Sequence, residues 1–447
     1  MKPISFANGL STKSAFITAT SASFGITASL ITRCTINHYI HKFSVTLQKN
    51  NTHSILVVAD AFGEPSYAPR LRNLCNYLVQ NGWIVEVYTE HFVPLNFPHA
   101  YPIYEYNLYR NNTWDWAIKA FWSILTDWKN RAFSRWLLSQ TKDKHYDIVF
   151  CTTCSTFPLR AALNVAQAKH IPLHVDLRDI EEQAPNSQLQ AHRQWWARPF
   201  RRLYRIINVR RRNNVILRAN NVTTISPWHV NFLSRLNQHT SLIYNGYDKD
   251  LFSPSNCSTE IFHIIYTGRI YESSLRDPSL FVQALSTLPS LPHFSVDWYT
   301  DNRGKEAIKK LATQFNCEAL MHYHNYVSTQ EIPELLHQCS IALVLSHKAD
   351  ENGPHGIMTT KFFEALGVEK PVLCVPSDEE CLADVIQQTN AGVAASTIEE
   401  VQTFILDKYA EWKANGYTRQ AVNQEQKRLF TRQYQAQQFE KMFNTLI

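Results

Sequence analysis

The chain has 447 residues, of which 45% are hydrophobic and 18% are charged, and its formal net charge is +6. This composition excludes a disordered protein, and the length is enough for about two or three domains that each bury a core. The 12 glycines never occur as G-x-G, so the chain lacks both the dinucleotide-binding fingerprint and the phosphate-binding P-loop.

The beginning of the chain contains one long uncharged segment. It runs from Ser14 to Thr32 and is interrupted by many Ser and Thr residues, which makes it more polar than a typical membrane-spanning helix. It also lacks a compact apolar core followed by a small-residue cleavage site. We expect residues 1–50 to be an extension that is disordered or weakly associated with a membrane. A true membrane anchor is the alternative.

The next part of the chain repeats a strand, a loop and a helix. The apolar run 54–58 ends at Asp60, and the loop that follows contains Gly63 and Glu64. A helical spacing of leucines then ends at Asn81-Gly82, which is a typical helix stop. Further short apolar strands are predicted at 83–88, 147–151, 173–176 and 221–225. Residues 51–242 therefore indicate a doubly wound, Rossmann-like α/β domain.

One segment of this domain is strongly basic. Between Gln183 and Tyr247 there are many arginines and no Asp or Glu, and residues 195–212 read WWARPFRRLYRIINVRRR. Arginines interleaved with aromatic and aliphatic side chains suit an anionic membrane surface. The alternatives are a solvated face of an ordinary helix and binding to nucleic acid. We predict an anionic membrane surface as the partner of residues 195–212, and we expect no nucleic acid to bind.

The second half of the chain restarts the same alternation. A turn-rich linker at 243–258 precedes predicted strands at 262–266, 294–299, 321–324, 341–345 and 371–375, with helical patterns between them. We predict a second Rossmann-like domain at 259–425 and a C-terminal helix at 426–447 that packs back on the first domain. The predicted fold class is α/β, with two doubly wound domains that face a cleft.

Four sequence matches, in order along the chain, resemble the retaining glycosyltransferases of the GT-B fold, specifically the family-4 group. They are the strand and loop ending at 62–64, the segment 223–226 with the linker NGYD and FSP, the motif YTGR at 266–269, and TTKFFE at 359–364 followed by EKP at 369–371. The resemblance extends over roughly residues 54–447. It implies the GT-B architecture and transfer of a sugar from a nucleotide-sugar donor, without another cofactor.

The resemblance also implies donor-site residues in the second domain. Gly268 and Arg269 end its first strand, and Arg269 with Arg276 would neutralise the departing diphosphate. Thr359 and Thr360 begin a predicted helix whose free N–H groups favour phosphate. The remaining implied donor-site residues are Lys361, Glu364 and Tyr326, with Glu364 accepting hydrogen bonds from the ribose hydroxyls.

The acceptor side and the metal requirement follow from the same resemblance. Gly63, Glu64 and Arg178 would lie on the acceptor side of the cleft, and Asp179 would orient the acceptor hydroxyl. An arginine–aspartate pair that is only structural is an equal alternative for Arg178 and Asp179. No metal site is expected, although Asp248-Lys-Asp250 in the linker matches a metal-binding motif of another glycosyltransferase fold.

One position departs from the family pattern. Many members carry two glutamates eight positions apart, and here the position eight before Glu364 is Gly356. We therefore expect the recognition of the donor sugar to differ from the common pattern, although some subgroups with the threonine-lysine version also lack the first glutamate.

The resulting hypothesis is a metal-independent, retaining glycosyltransferase that acts on a glycan or a lipid-linked acceptor in surface polysaccharide biosynthesis. A nucleotide-sugar 2-epimerase of the same fold and a non-enzymatic RNA-binding protein are the alternatives. Nine cysteines without a clear pairing pattern favour reduced thiols. We therefore expect the protein in the cytoplasm, at the inner face of the membrane.

Overall fold

The computed structural model describes residues 52–63, 68–93, 99–106, 108, 122, 125–183, 201–270, 276–351 and 353–447. The predicted N-terminal extension at 1–50 and the loop residue Glu64 lie outside this part of the chain. No helix within the described ranges is long and apolar enough to cross a membrane.

The first half of the described chain contains a parallel sheet with the strand order β3-β2-β1-β4-β5-β6-β7. Its strands are β1 (Ser54–Phe62), β2 (Ile84–Phe92), β3 (Ile103–Glu105), β4 (Ile148–Thr153), β5 (Leu173–Leu177), β6 (Asn221–Thr224) and β7 (Thr240–Leu242). The helices between them are α1 (Ala68–Gln80), α2 (Trp128–Thr141), α3 (Leu159–Lys169), α4 (Arg201–Ile216) and α5 (Pro227–Leu233). A short 3-10 helix lies at Glu181–Gln183.

The second half contains another parallel sheet, with the order β10-β9-β8-β11-β12-β13. Its strands are β8 (Phe262–Thr267), β9 (Phe294–Tyr299), β10 (Met321–His324), β11 (Ile341–Leu345), β12 (Val372–Val375) and β13 (Gly392–Ala394). The helices are α6 (Ser279–Ser286), α7 (Asn302–Gln314), α8 (Ile332–Gln338), α9 (Thr360–Val368), α10 (Cys381–Thr389) and α11 (Ile398–Asn415). The chain ends with α12 (Gln424–Arg428) and α13 (Arg432–Asn444).

Both sheets are covered on both faces, which explains why their strands are continuous apolar runs. In β1, Leu56 and Val58 enter one hydrophobic core, whereas Ile55 and Val57 enter the core on the opposite face. Strand β11 alternates in the same way between the two cores of the second sheet. Parallel sheets with helices on both faces produce this pattern. The predicted fold class, α/β with two doubly wound Rossmann-like domains, is confirmed.

Two segments connect the two halves and lie beside each other. Tyr247 in the linker pairs with Thr431, just before α13, as an isolated parallel bridge. Helix α13 then packs against α1, and its Glu440 accepts hydrogen bonds from Tyr77 and Trp83 at 2.9 and 3.0 Å. The helix therefore contributes to the core of the first sheet although it follows the second sheet in sequence.

Candidate functional site

The donor-side residues predicted from the sequence meet where strand β8 ends and helix α9 begins. Gly268 directly follows β8 and has φ 125°, a backbone conformation that favours glycine. A Cβ atom at this position would overlap the side chain of Lys361, in the first turn of α9. Glycine therefore allows the Lys361 ammonium to lie directly against the backbone at the carboxyl end of the strand.

The N-terminus of α9 lies beside this edge of the sheet. Thr359 is its N-cap residue, with φ −76° and ψ 138°, and its side chain accepts no capping hydrogen bond. Thr359 is buried, whereas Thr360 is exposed at the first helical position. The first-turn N–H groups of a helix have no partner within the helix, so this terminus can bind an anion.

Lys361 and Glu364 are half-buried side chains one turn apart on α9. The described part of the chain gives neither of them a hydrogen bond or an ion pair. Burial, followed by the nearby Arg276 guanidinium, lowers the pKa of Lys361 to about 7. Burial raises the pKa of Glu364 to about 7, against the opposing charges of Lys361 and Arg432. Titratable groups whose pKa values are shifted strongly by burial and by specific neighbouring charges are more frequent at functional sites than elsewhere.

The two arginines predicted beside the diphosphate differ in their contacts. Arg276 donates a hydrogen bond to the Arg269 carbonyl at 2.6 Å. The Arg269 side chain is exposed, and its guanidinium lies 5.9 Å from the ring centre of Tyr326, which is itself 53% exposed. The structure therefore places Arg269, Arg276 and Tyr326 in one group at the end of β8.

On the first sheet, the predicted acceptor residues lie at the ends of β1 and β5. Gly63 follows β1, and Arg178 and Asp179 follow β5. Arg178 is buried and lies 3.9 Å from the Asp60 carboxylate. Asp179 accepts a hydrogen bond from Gln183 at 3.1 Å.

Sequence reasoning missed a buried ion pair beneath this edge. Arg70 of α1 and Asp176 of β5 are 6% and 1% exposed, and their charged atoms are 3.0 Å apart. Asp176 also accepts from Thr152 and Thr223 at 2.9 Å each. Arg70 donates to the carbonyl groups of residues 243 and 244, so the pair ties the first sheet to the linker.

A second missed group is a row of charges along the same edge. The register of β1 and β2 makes Asp60 and Glu90 neighbours. Lys129 of α2 forms an ion pair with Glu90 at 2.5 Å. Burial raises the pKa of Asp60 against the Arg178 charge, and burial likewise raises the pKa of Glu90 against Lys129. The only signal available in the sequence was the position of Asp60 and Glu90 at strand ends.

A third missed residue is Arg432, the first residue of α13. It is buried, and its Nη1 donates to Gln435 at 3.1 Å. Gln435 in turn donates to the Tyr244 carbonyl that also accepts from Arg70. Burial, and then the Arg70 charge, lowers the pKa of Arg432 to about 9, whereas Glu364 opposes this shift. The C-terminal helix thus brings a cation close to the donor-side carboxylate.

The structure also gives a physical reason for Gly356. Its φ is 64°, and a Cβ atom there would overlap the hydroxyl of Ser226 in the first half of the chain. Its N–H donates to Glu380 at 2.7 Å. A glutamate at position 356 therefore does not fit the arrangement seen here.

No protein-family model and no curated protein matches this chain. Solved structures do match. A sucrose-phosphate synthase from Thermosynechococcus elongatus has a TM-score of 0.62 at 15% identity, covering 88% of this chain and 99% of its own. Anabaena HepE, crystallised with UDP-glucose, has a TM-score of 0.57 at 15% identity, covering 88% of this chain and 100% of its own.

A protein of another reaction class is also similar. The UDP-GlcNAc 2-epimerase from Neisseria meningitidis, bound to UDP-GlcNAc, has a TM-score of 0.50 at 12% identity, covering 88% of this chain and 100% of its own. At these identities the similarity defines the fold. The chain has the GT-B architecture, in which two Rossmann-like domains face a cleft.

Proposed function

We propose that the protein is a glycosyltransferase that moves a sugar, with retention, from a nucleotide-sugar donor to a glycan or lipid-linked acceptor in surface polysaccharide biosynthesis. The observation that carries the proposal is the half-buried pair Lys361 and Glu364 at the N-terminus of α9, which forms no hydrogen bond and no ion pair with the described residues. The UDP-glucose in HepE supports a nucleotide sugar as the ligand of this fold.

In this proposal the second domain binds the donor. The first-turn N–H groups at Thr359 and Thr360, together with Lys361, hold the diphosphate. Glu364 accepts hydrogen bonds from the ribose hydroxyls, because a carboxylate one turn into the helix reaches past the phosphates. Gly268 leaves room for the Lys361 ammonium at the strand end.

The chemical step is a substitution at the anomeric carbon of the donor sugar. The bond from this carbon to the diphosphate oxygen breaks, and a bond to the acceptor oxygen forms on the same face. The acceptor proton passes to the departing diphosphate oxygen. Arg269 and Arg276 offset the negative charge that grows on the diphosphate, so the proposed mechanism requires no metal ion.

The first domain binds the acceptor in this proposal. Asp179 accepts a hydrogen bond from the reacting hydroxyl and orients it toward the anomeric carbon. Arg178, Gly63 and Glu64 belong to the same side, although Glu64 is outside the described residues. The charged row at Asp60 and Glu90 lies along the same sheet edge and offers hydrogen-bond partners to a sugar.

An anionic membrane surface is the proposed partner of residues 195–212, of which the structure describes 201–212. In helix α4, Leu203 and Ile206 are 52% and 40% exposed, and Arg210 is exposed on the same face. Arg212, in contrast, is buried and forms an ion pair at 2.6 Å with the half-buried Glu182. The face with Leu203, Ile206 and Arg210 is therefore the one that we propose to contact lipid.

The fluorescence-monitored thermal unfolding of the protein with a panel of nucleoside diphosphates and nucleotide sugars tests the donor site. We expect at least one nucleoside diphosphate to raise the unfolding temperature, since a ligand that binds only the native state stabilises it. The Glu364→Gln variant should bind that nucleotide more weakly by about 1.5–3 kcal/mol, the contribution of hydrogen bonds to a charged group.

Glu260→Gln provides the matched control, because Glu260 is an exposed carboxylate in the second half of the chain. Calorimetry should give this variant the affinity of the parent protein. If Glu364→Gln also keeps the parent affinity, Glu364 is a solvated helix residue and the proposed donor site is wrong.

A nucleotide-sugar 2-epimerase is the second candidate, favoured by the fold similarity to the Neisseria enzyme. An epimerase converts its nucleotide sugar without any acceptor. Incubating the protein with UDP-GlcNAc alone and following the sugar signals by NMR separates the two activities. Inversion at C2 in the absence of an acceptor would replace the transferase proposal.

A further inference from the structure

A loop of the second domain contacts the first domain just before the proposed donor site. The His355 N–H donates to the Gln183 carbonyl at 2.6 Å. The His355 ring stacks on Trp228, with ring centres 5.2 Å apart and an angle of 6° between the planes. Glu380 holds the loop from the other side, since it accepts from the His355 ring at 3.1 Å.

The side chain of Gln183 holds the acceptor side of the cleft at the same time. Its Oε1 accepts from the Ile180 N–H at 3.1 Å and lies 2.7 Å from Nε2 of the buried His229. Its Nε2 donates to Asp179 at 3.1 Å. One residue therefore contacts the loop of the second domain through its backbone and the proposed acceptor aspartate through its side chain.

The loop that carries His355 leads directly into the N-terminus of α9. Only three residues separate His355 from the N-cap Thr359. A phosphate that orders this terminus therefore also restrains the loop. The loop contacts the first domain through a backbone hydrogen bond to Gln183 and a ring stack on Trp228, and contacts of this kind can form or break when a ligand binds.

We propose that Gln183 is a positioning residue that couples occupancy of the donor site to the orientation of Asp179. This inference rests on the proposed function. Donor binding at α9 fixes the loop with His355, the loop fixes Gln183, and the Gln183 amide holds Asp179 toward the acceptor hydroxyl. Asp179 is thus oriented best when the donor is present. Binding of the acceptor in the absence of a donor, which cannot lead to transfer, is thereby limited.

Hydrogen exchange measured by mass spectrometry on the full chain tests the coupling. The probe is UDP, or the nucleoside diphosphate that gives the largest thermal shift. We expect saturating nucleotide to slow exchange in peptides covering 177–183 about fivefold, since the hydrogen bonds there open less often. The His355→Ala variant should lose this response while its nucleotide affinity stays within about twofold of the parent value.

His322→Ala is the matched control, because His322 is an exposed histidine on β10 of the same domain. It should keep both the nucleotide affinity and the response at 177–183. If the parent protein binds nucleotide but exchange at 177–183 does not change, the coupling is wrong and the donor site stands. If no nucleotide binds to the parent protein, the proposed function itself fails.

A second variant separates positioning from a structural role. Gln183→Glu keeps the two accepting contacts but places a carboxylate against Asp179 in place of the amide donor. We expect transfer at saturating donor to fall about tenfold, with nucleotide affinity within about twofold of the parent. Loss of nucleotide affinity together with a lower unfolding temperature would indicate a structural role and overturn the assignment. Parent-like transfer would overturn it as well.

Discussion

At the scale of single residues, Lys361 and Glu364 differ from an ordinary helical ion pair. Residues three apart on a helix are close enough for their charges to meet on a solvated face. These two side chains instead lie partly buried without an ion pair between them, and Arg276 and Arg432 act on them from neighbouring elements. The balance of charge at this site therefore depends on three segments of the chain: helix α9, the segment with Arg276, and helix α13 with Arg432.

The pH dependence of stability follows from these two groups. The pKa of Glu364 is raised from 4.5 to about 7, so the folded state binds the proton more tightly than the unfolded state. The stability that Glu364 contributes to the folded state is therefore present below pH 4.5 and is lost as the pH rises to about 7. The pKa of Lys361 is lowered from 10.5 to about 7, so stability is regained as the pH rises from 7 toward 10.5.

We therefore compare the parent protein with the double variant Lys361→Met with Glu364→Gln. The free energy of unfolding of the parent minus that of the variant should pass through a minimum near pH 7. Urea unfolding of both proteins between pH 5 and pH 9 measures this difference. The minimum should become shallower with bound nucleotide, whose phosphates pair with Lys361. A difference that does not vary with pH would show that neither group is buried in solution.

Arg269 and Arg276 give a second prediction about single residues. Replacing either with Ala should lower the rate of transfer more than the affinity for a free nucleoside, because the diphosphate gains charge only as the glycosyl bond breaks. Single-turnover kinetics with bound donor measures this effect. Rates equal to those of the parent protein would remove both arginines from the proposed mechanism. Arg303→Ala, at an exposed position on α7, is the control for loss of one positive charge.

The residues of α9 could be predicted from the sequence because the signals are local. Threonines before an apolar run mark a helix start, and the carboxylate follows within two turns. Arg432 and Gln183 could not be found in this way. Their roles depend on contacts with residues far along the chain, which only the folded arrangement reveals. The sequence likewise shows that position 356 holds glycine and not glutamate, but the contact between Gly356 and Ser226 that excludes a glutamate exists only in the folded chain.

At the scale of elements, helix α4 combines two kinds of arginine. Arg212 pairs with Glu182, and Arg211 lies 3.6 Å from Asp127, so both hold the helix to the rest of the domain. Arg210 is exposed, together with Leu203 and Ile206. The sequence predicted one basic surface, whereas the structure divides it into a packing face and an outer face.

The proposed membrane contact can be tested on this outer face. Replacing Leu203, Ile206 and Arg210 with Gln should release the protein from anionic liposomes in a flotation assay, because each basic group near the surface contributes about 1 kcal/mol and the apolar groups insert. Transfer to a short water-soluble acceptor should continue. Arg303→Gln should leave flotation unchanged. If the parent protein does not bind anionic liposomes at low salt, the proposed membrane partner is wrong. Binding to RNA instead would favour the nucleic-acid alternative.

The buried pair of Arg70 and Asp176 connects three elements: α1, β5 and the linker. Asp176→Asn would leave the Arg70 charge buried without its counterion, which costs about 3–5 kcal/mol of stability. Urea unfolding measures this loss. Lys348→Ala serves as the control, because Lys348 pairs with Glu379 on an exposed surface where screening leaves little energy to lose. Equal stability of Asp176→Asn and the parent protein would contradict the role given to this pair.

At the scale of the whole molecule, the repeated alternation of apolar strands and helices was enough to predict both sheets and their fold class. Strand runs such as 55–58 and 341–345 are apolar throughout because helices cover both faces of each sheet. The order of the strands and the contact between His355 and Gln183 were not predictable. They depend on how the helical layers pack, and the sequence pattern of a single strand does not determine that packing.

The position of α13 has a consequence for how the protein is synthesised. Phe439 and Phe443 of this helix pack against Phe150 and His174 in the middle of the first sheet. A ribosome makes these residues only after the entire second sheet. The part of this face that α13 covers, beside α1, therefore stays exposed while the second sheet is being made, and its apolar side chains are accessible to chaperones or to aggregation during that time.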